Sequence, residues 1–401
     1  LNIISDFGDI SAIDWQTIKP DENNDWLNQR NPNYQEYADI SSEVFYSSAI
    51  GVASNRDVWV SSFSISTVLE NSLKLITNYN KELHRLRGHT SEEIKESLNR
   101  NDDFIKWTRK LEQLIVRNRA ISFEKDKVQL SLYRPFTKKW LCYQNEIIES
   151  PGQWYKKFGQ DNLVITTTGR GTSRDFSVIV TNLIPDIQLQ MNGQGFMRYD
   201  NEVDETQLFQ SNDNMNQAFA DKLGLSLDDT FAYVYGLLNS REYQKKYAND
   251  LKKDLARIPI VNQKEKYVEI GKALMDLHLN YEEVPIYDDV DIQLTSQPSY
   301  KVTKMKFIKK GDRSAIVYNN DITIKNIPEK AYEYMVNGRS AIEWIMDQYQ
   351  VKTDKKSGIT DDPNDYSTDE KYIFNLLLRI INVSVQTVDL VNSLPKFEVE
   401  E

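Results

Sequence analysis

One cysteine, Cys142, and three histidines, His84, His89 and His278, are all that 401 residues offer of those two types. A lone cysteine excludes an internal disulfide framework and fits a reducing, intracellular setting. His84 and His89 lie in "HRLRGH" with no cysteine or acid at ligand spacing, so zinc is not expected there. They read as surface residues at a helix end. No stretch reads as long enough to span a membrane, and "LNIISDFGDISAIDW" has neither the basic start nor the apolar run of a signal peptide. The chain starts at Leu1 rather than Met, which reads as a fragment or processed piece. There is no Walker A loop, no strand–GxGxxG–helix unit and no G-x-S-x-G elbow. The Asn/Asp-Pro-Pro-Tyr/Phe tetrapeptide that holds a target amine in amino-methyltransferases is missing too. Pro20-Asp21 and the distant Glu93-Ile94-Lys95 match a metal-nuclease pattern only loosely, and Asp288-Asp289 and Asp361-Asp362 read as solvated loop acids. No catalytic residue and no metal ligand is assigned. These absences point to binding rather than catalysis.

What is present is aromatic and acidic. The 22 tyrosines and 7 tryptophans argue for a packed protein with a sizeable core. The net charge of −11 argues against a polyanion partner when taken alone. Its distribution is uneven. Between Phe104 and Lys139 ten basic residues stand against Glu112, Glu124 and Asp126, and in "KVTKMKFIKKGDR" six stand against Asp312. Acids gather in "DNEVDE", "YDDVD", "TDDPNDYSTDE" and "EVEE". An acidic chain with basic islands suits a protein that touches a polyanion on one face; each island taken singly is also ordinary solvated surface.

Residues 1–40 are polar and read as a connector with a loop and short helices. "EVFYSSAIGVASNRDVWVSSFS" predicts two strands around a turn. "ISTVLENSLKLITNYNKELHRL", "DDFIKWTRKLEQLIVRN" and "TSEEIKESL" predict helices, the last capped by Thr90 or Ser91. From Ala120 the period moves toward two, and "KVQLSLYRPF", "KWLCYQNEII", "NLVITTT", "FSVIVTNLI" and "IQLQMNGQGF" predict strands. Helices are then expected over "MNQAFADKLG", over "DDTFAYVYGLLNSREYQKKYANDLKKDLARI" with Asp228 or Asp229 as cap, and over "KEKYVEIGKALMDLHLNYE". Strands meet at Gly311, helices follow in "PEKAYEYMVNG" and "SAIEWIMDQYQV", and "EKYIFNLLLRIINVSVQTVDLVNSL" predicts a long last helix. The class is α+β: a β-rich central region flanked by helices, with a helical C-terminal part.

Several stretches, in order, resemble one family: "GVASNRDVWV", "LYRPFTKKWLCYQNEIIESPGQW", "GRGTSRDFSVIVTNLIPD", "FAYVYGLLNSREYQKKYANDLKKDLARIPIV", "LMDLHLNYE", "YNNDITIKNIPEKAYEYMVNGRSAIEWIMDQYQV" and "DKKSGITDDPND". This looks like the C-terminal specificity region of type ISP restriction-modification enzymes, single-polypeptide ATP-dependent relatives of type I systems. The resemblance runs from about residue 40 to 390. "DWLNQR" resembles the connector that follows the methyltransferase domain there, and "YGLLNS…RIPIV" resembles the exit segment of type I target recognition domains.

The resemblance implies a connector over 1–40, a main lobe of a target recognition domain over 41–290, and a C-terminal α/β lobe over 291–401. It implies a bacterial, cytoplasmic parent with nuclease, helicase-like motor, coupling and adenine-N6 methyltransferase domains, using ATP, Mg2+ and S-adenosylmethionine. No cofactor falls to this part. The implied partners are double-stranded DNA and the upstream domains, with no membrane. A nuclease with an unfamiliar site and a protein-interaction module remain as other classes.

A reader of duplex DNA needs phosphate anchors and base readers, arginine suiting guanine and Asn or Gln suiting adenine. "TTTGRGTSRD" offers Arg170 and Arg174, with Thr168, Thr172 and Ser173 as hydroxyls and Gly169 and Gly171 for close backbone approach. The alternative is a strand turn in which Arg174 pairs with Asp175. "ASNRD" offers Ser54, Asn55 and Arg56, or else a turn with an Arg56–Asp57 contact. "YRPFTKKW" offers Arg134, Lys138 and Lys139 beside aromatic core residues. "YQVKTDKKSG" offers Lys352, Lys355 and Lys356 as a phosphate clamp, or a solvated turn.

Overall fold

The computed structural model describes Trp15 and residues 17–158, 161–201 and 212–400. The first third of the expected 1–40 connector therefore lies outside the described residues. The architecture is α+β, assembled from small sheets and helices around three apolar cores.

The first core gathers Trp59, Leu75, Tyr79, Leu111, Ile147 and Trp154 under the amphipathic helix Ile65–Arg85, which Ser64 caps at Thr67 N. Ser91–Ser97 begins with the expected Thr90, in a full capping box with Glu93. Two expectations fail here. "EVFYSSAIGVASNRDVWVSSFS" is a π-helical turn, Ile40–Val44, the two-residue strands Ala49–Ile50 and Ser61–Ser62, and a helical turn, Asp57–Val60, rather than two strands. The helix expected over 102–118 is confined to Arg109–Val116, because Trp107 is held by its indole N–H to the Asn99 carbonyl (2.8 Å) in an irregular approach.

Two four-stranded sheets form the middle. One is antiparallel, in the order Ala49–Ile50, Gln194–Met197, Val164–Thr167, Val178–Thr181. The other runs Ser61–Ser62, Thr137–Cys142, Val128–Arg134, Ile184–Pro185, the last pair parallel. The chain passes from the first sheet to the second between Thr181 and Ile184, through a turn in which Leu183 N–H donates to Thr181 Oγ1 (2.9 Å). "IQLQMNGQGF" is a strand only over Gln194–Met197; residues 187–193 are a loop.

The second core surrounds the helix Leu227–Asn239, buried continuously from Thr230 to Asn239. Its cap is Ser226, not Asp228 or Asp229, and Ser240 ends it while capping Arg241–Lys246, so the single long helix expected here is three. It crosses Lys264–Leu279 at two glycines: a Cβ at Gly236 would overlap the Tyr267 carbonyl, and one at Gly271 the Ala232 carbonyl. The third core joins an antiparallel sheet, Asp291–Leu294, Ile322–Lys325, Asp312–Val317, Lys306–Lys309, to the helices Ala341–Gln348 and Tyr372–Asn392. It also takes in Phe63, Leu132, Phe136 and Leu277, so residues from both sides of position 290 share it. "PEKAYEYMVNG" is a 3-10 turn, Glu329–Tyr332, followed by a tight hairpin at Asn337-Gly338, both with positive φ, in place of a helix. Among the described residues one helix, Tyr372–Asn392, is long and apolar enough to cross a membrane, contrary to the reading that none approaches that length. Its Leu376–Leu378, Ile380, Ile381 and Val383 are spent in this core.

His278 joins the second and third cores. Its Nε2 faces Thr387 Oγ1 (2.8 Å) and its Nδ1 faces Tyr235 Oη (2.6 Å). Thr387 gives its one hydroxyl proton to the Val383 carbonyl, so Nε2 carries the imidazole proton and Nδ1 accepts from Tyr235. Burial pushes the imidazole down to about 3 from 6.5. The folded value lies below the unfolded one, so the unfolded chain takes the proton first. This contribution is whole above pH 6.5 and is lost as pH falls toward 3. Between pH 7 and pH 5 it amounts to about 2 kcal/mol. Denaturant unfolding at the two pH values should show that loss in the native chain and a smaller one in His278→Gln; equal losses would contradict the assignment.

Candidate DNA interface

The loop between Val164–Thr167 and Val178–Thr181 is built inward before it turns outward. Thr168 N–H closes the strand pair on the Ser177 carbonyl (3.1 Å), and the Thr168 side chain is buried. Gly169 N–H donates to the Met191 carbonyl (3.0 Å), and a Cβ at Gly169 would overlap the Asn192 carbonyl. The clearance expected for DNA at Gly169 is thus taken by a neighbouring loop of the protein. Gly171, at φ +69° with open space around it, makes the turn. Thr172 is buried and its hydroxyl accepts from Arg174 N–H (3.1 Å), whereas Ser173 is exposed.

The two arginines of this loop part company. Arg170 remains 60% exposed, with Nε 2.9 Å from Asp254. Arg174 reaches across to the hairpin turn and donates to the Asn337 carbonyl. It does not pair with Asp175, which faces Lys252 (3.0 Å). Asn337 in turn holds the 187–193 loop, its amide donating to the Gln188 and Leu189 carbonyls (3.2 Å each).

An open cleft lies between these loops, lined among others by Arg134, Ser173, Arg174, Gln188, Asn192 and Asn337. Its floor is the junction of the two central sheets. Asp186 N–H donates to Leu132 (3.0 Å) and Ile187 N–H to Val52 (2.9 Å), while Val52 N–H donates to Pro185 (2.8 Å). Gly51 is required there, since a Cβ would meet the Asp186 backbone at 2.5 Å.

Most cations expected at DNA are committed inside the protein. Arg56 is turned inward, 3% exposed, donating to Thr108 Oγ1, and burial lowers its guanidinium to about 9. It is not on a strand-to-strand loop and makes no contact with Asp57. The Asp57 carboxylate instead takes the Ser54 hydroxyl and Tyr133 Oη (3.0 Å). Arg134 is buried against Asp186 (2.7 Å), with its guanidinium 3.9 Å above the Tyr133 ring. Burial pushes the Asp186 carboxyl up to about 7 while Arg134 pulls it down and Asp57 raises it. Lys138 pairs with Glu282 (2.8 Å), and Lys139 with Asp361 (2.7 Å) over the Tyr133 and Phe63 rings. Lys352 donates to the Asp347 carbonyl (2.9 Å), with partial burial lowering its ammonium. Arg134 and Lys139 therefore form one internally compensated cluster, with Lys352 exposed at its edge.

Asn55, Arg170, Ser173, Lys355 and Lys356 keep exposed side chains. Asn55 has φ +55° at a turn, and the two lysines crown the hairpin Lys352–Thr353/Thr360–Asp361. The sequence reading missed the amides of the cleft, Gln188 and Asn192. Their signal was the polar run "QLQMNGQ", whose alternation looks like a strand but whose Asn192-Gly193 marks a loop.

The Type ISP C-terminal specificity domain model matches residues 43–376. The chain belongs to that family. No curated protein matches it. Among solved structures, it is similar to a nuclease-deletion mutant of the Type ISP restriction-modification enzyme LlaGI in complex with a DNA substrate mimic. Identity is 45%, TM-score 0.90, covering 100% of this chain and 38% of that one. The ATP-dependent Type ISP enzyme LlaBIII bound to DNA shares 41% identity at TM-score 0.86, covering 96% of this chain and 26% of that one. A DrdV–DNA complex, at 24% identity and TM-score 0.81, covers 96% and 41% and shares the fold. This chain spans well under half the length of each.

The Gly169 packing makes a specificity-domain prediction. Gly169→Ala should destabilise by about 1–3 kcal/mol through overpacking, in spite of the smaller unfolded-state entropy. Thermal melting reads this, and an unchanged midpoint would show that the 169/192 crossing is not tight.

Proposed function

We propose that this specificity domain recognises a double-stranded DNA sequence, and so directs adenine-N6 methylation and ATP-driven translocation and cleavage by other domains of a longer enzyme. The observation that carries the reading is the cleft at the sheet junction. Loops from separate segments converge on it with exposed amide and hydroxyl groups held on a rigid floor, in a chain whose family members have been captured with DNA. Base readout needs that arrangement of fixed polar side chains, while the net charge of −11 says that affinity must come from a few local cations. ATP, Mg2+ and S-adenosylmethionine would belong to the other domains.

The exposed groups divide by chemistry. Lys355 and Lys356 sit on a hairpin tip with no acid paired to either among the described residues, which suits phosphate. Arg170, 60% exposed on a turn, has the fork needed for guanine O6 and N7 once it leaves Asp254. Asn55 and Ser173 are secondary polar contacts in this reading. Arg56, Arg134, Lys138 and Lys139 serve the interior instead.

Selection from a random duplex pool, followed by affinity against salt, tests the function directly. The expected result is an enriched motif with a steep negative salt slope. Replacing Lys355 and Lys356 by alanine should lower that slope by about two and leave the motif intact. Arg170→Ala should cost about 1–3 kcal/mol on the selected site and relax one position. Absence of any motif would defeat the recognition reading.

A further inference from the structure

We propose that Gln188 reads a base edge through its amide NH2, and that Arg134 is the positioning residue that turns that NH2 outward. This rests on the DNA-recognition reading and assigns one side chain of the cleft to one chemical class of base edge.

Gln188 stands on backbone that is bonded into the floor of the cleft. Asp186 and Ile187 before it are bonded into the sheet junction, and its own N–H donates to Asp186 Oδ1 (2.7 Å). The two residues after it are buried: Leu189 enters the third core, and Gln190 accepts the Ser177 hydroxyl (2.6 Å). Gln188 alone of this run is exposed. A side chain presented on a fixed backbone loses little further freedom on binding, which is what a discriminating contact requires.

Its amide orientation follows from chemistry. Arg134 Nη2 lies 2.9 Å from Gln188 Oε1. A guanidinium only donates, so the amide group facing it must be the carbonyl oxygen. Arg134 is itself fixed, with Nη1 bonded to Asp186 (2.7 Å) and the Tyr133 carbonyl (2.5 Å) and the plane stacked on the Tyr133 ring. Gln188 Nε2 is left with two N–H donors and no partner among the described residues. Arg134 occupies one lone pair of Oε1, which weakens the two-bond grip by which glutamine holds adenine. What points outward is a donor pair, and it matches bases that present acceptors in the major groove: guanine through O6 and N7, or thymine through O4. Cytosine, with its N4 donor, is disfavoured.

The test uses the full polypeptide in random-duplex selection, comparing native protein with Gln188→Ala, Gln188→Glu and Arg134→Lys. The native motif should carry guanine or thymine at one position that Gln188→Ala flattens, by about tenfold in relative affinity, with the other positions unchanged. Gln188→Glu replaces the outward donor by an acceptor, so that position should move to cytosine or adenine. Arg134→Lys, once melting shows it folded, should flatten the same position, because a lysine cannot hold both Asp186 and the amide oxygen. A motif unaltered in both Gln188 variants overturns the proposal while leaving DNA recognition standing. A native-like motif in folded Arg134→Lys overturns the positioning role. No motif from the native protein overturns the recognition reading and this proposal together.

Discussion

The cleft of the candidate interface hangs from one crossing, where the Asp186 backbone passes over Gly51. Three backbone hydrogen bonds close it: Val52 to Pro185, Ile187 to Val52, and Asp186 to Leu132. A side chain at 51 would meet the Asp186 backbone, so the approach depends on having no Cβ. The crossing welds two four-stranded sheets through one continuous segment, 178–185. Loops leaving such a junction start from fixed points, and rigid origins are what let short polar side chains act as a reading surface.

The charges obey the same economy. In a chain of net −11, the cations near the crossing are placed against Asp186, Asp361, Glu282 or Thr108 and stacked on Tyr133 and Phe63. Buried guanidinium and ammonium groups lose hydration, and paired carboxylates with aromatic faces restore part of it; removing one partner leaves a stranded charge that costs about 3–5 kcal/mol. These residues set the shape of the cleft. Of the cations expected at DNA, Arg170, Lys355 and Lys356 stay in solvent at loop and hairpin tips, where a polyanion can reach them.

Much of the α+β plan was legible. The amphipathic period announced Ile65–Arg85 and Lys264–Leu279, and alternation announced Val128–Arg134 and Val178–Thr181. Breaks within runs were the difficulty. Ser240 caps a helix inside a stretch that looks continuous, since a serine hydroxyl can replace a backbone acceptor wherever packing directs the chain to bend. Asn337-Gly338 is a strong hairpin turn by composition, yet the helical reading of "PEKAYEYMVNG" runs through it; both residues take positive φ.

By itself the sequence determined the class, the order of most elements and the family, because periodicity, caps and a row of motifs are local properties that survive without coordinates. Which arginine faces solvent was decided only by the fold. Arg56, Arg170 and Arg174 stand beside polar or glycine-rich residues along the chain and Arg134 between Tyr133 and Pro135, and none of these neighbourhoods says which side chain reaches solvent. Thr108, Asp186, Asp254 and Asn337 lie between 52 and 163 residues away, and it is their placement that turns three of these arginines inward and leaves one extended into water. Side-chain exposure is a long-range property, set by which distant group arrives to share the charge.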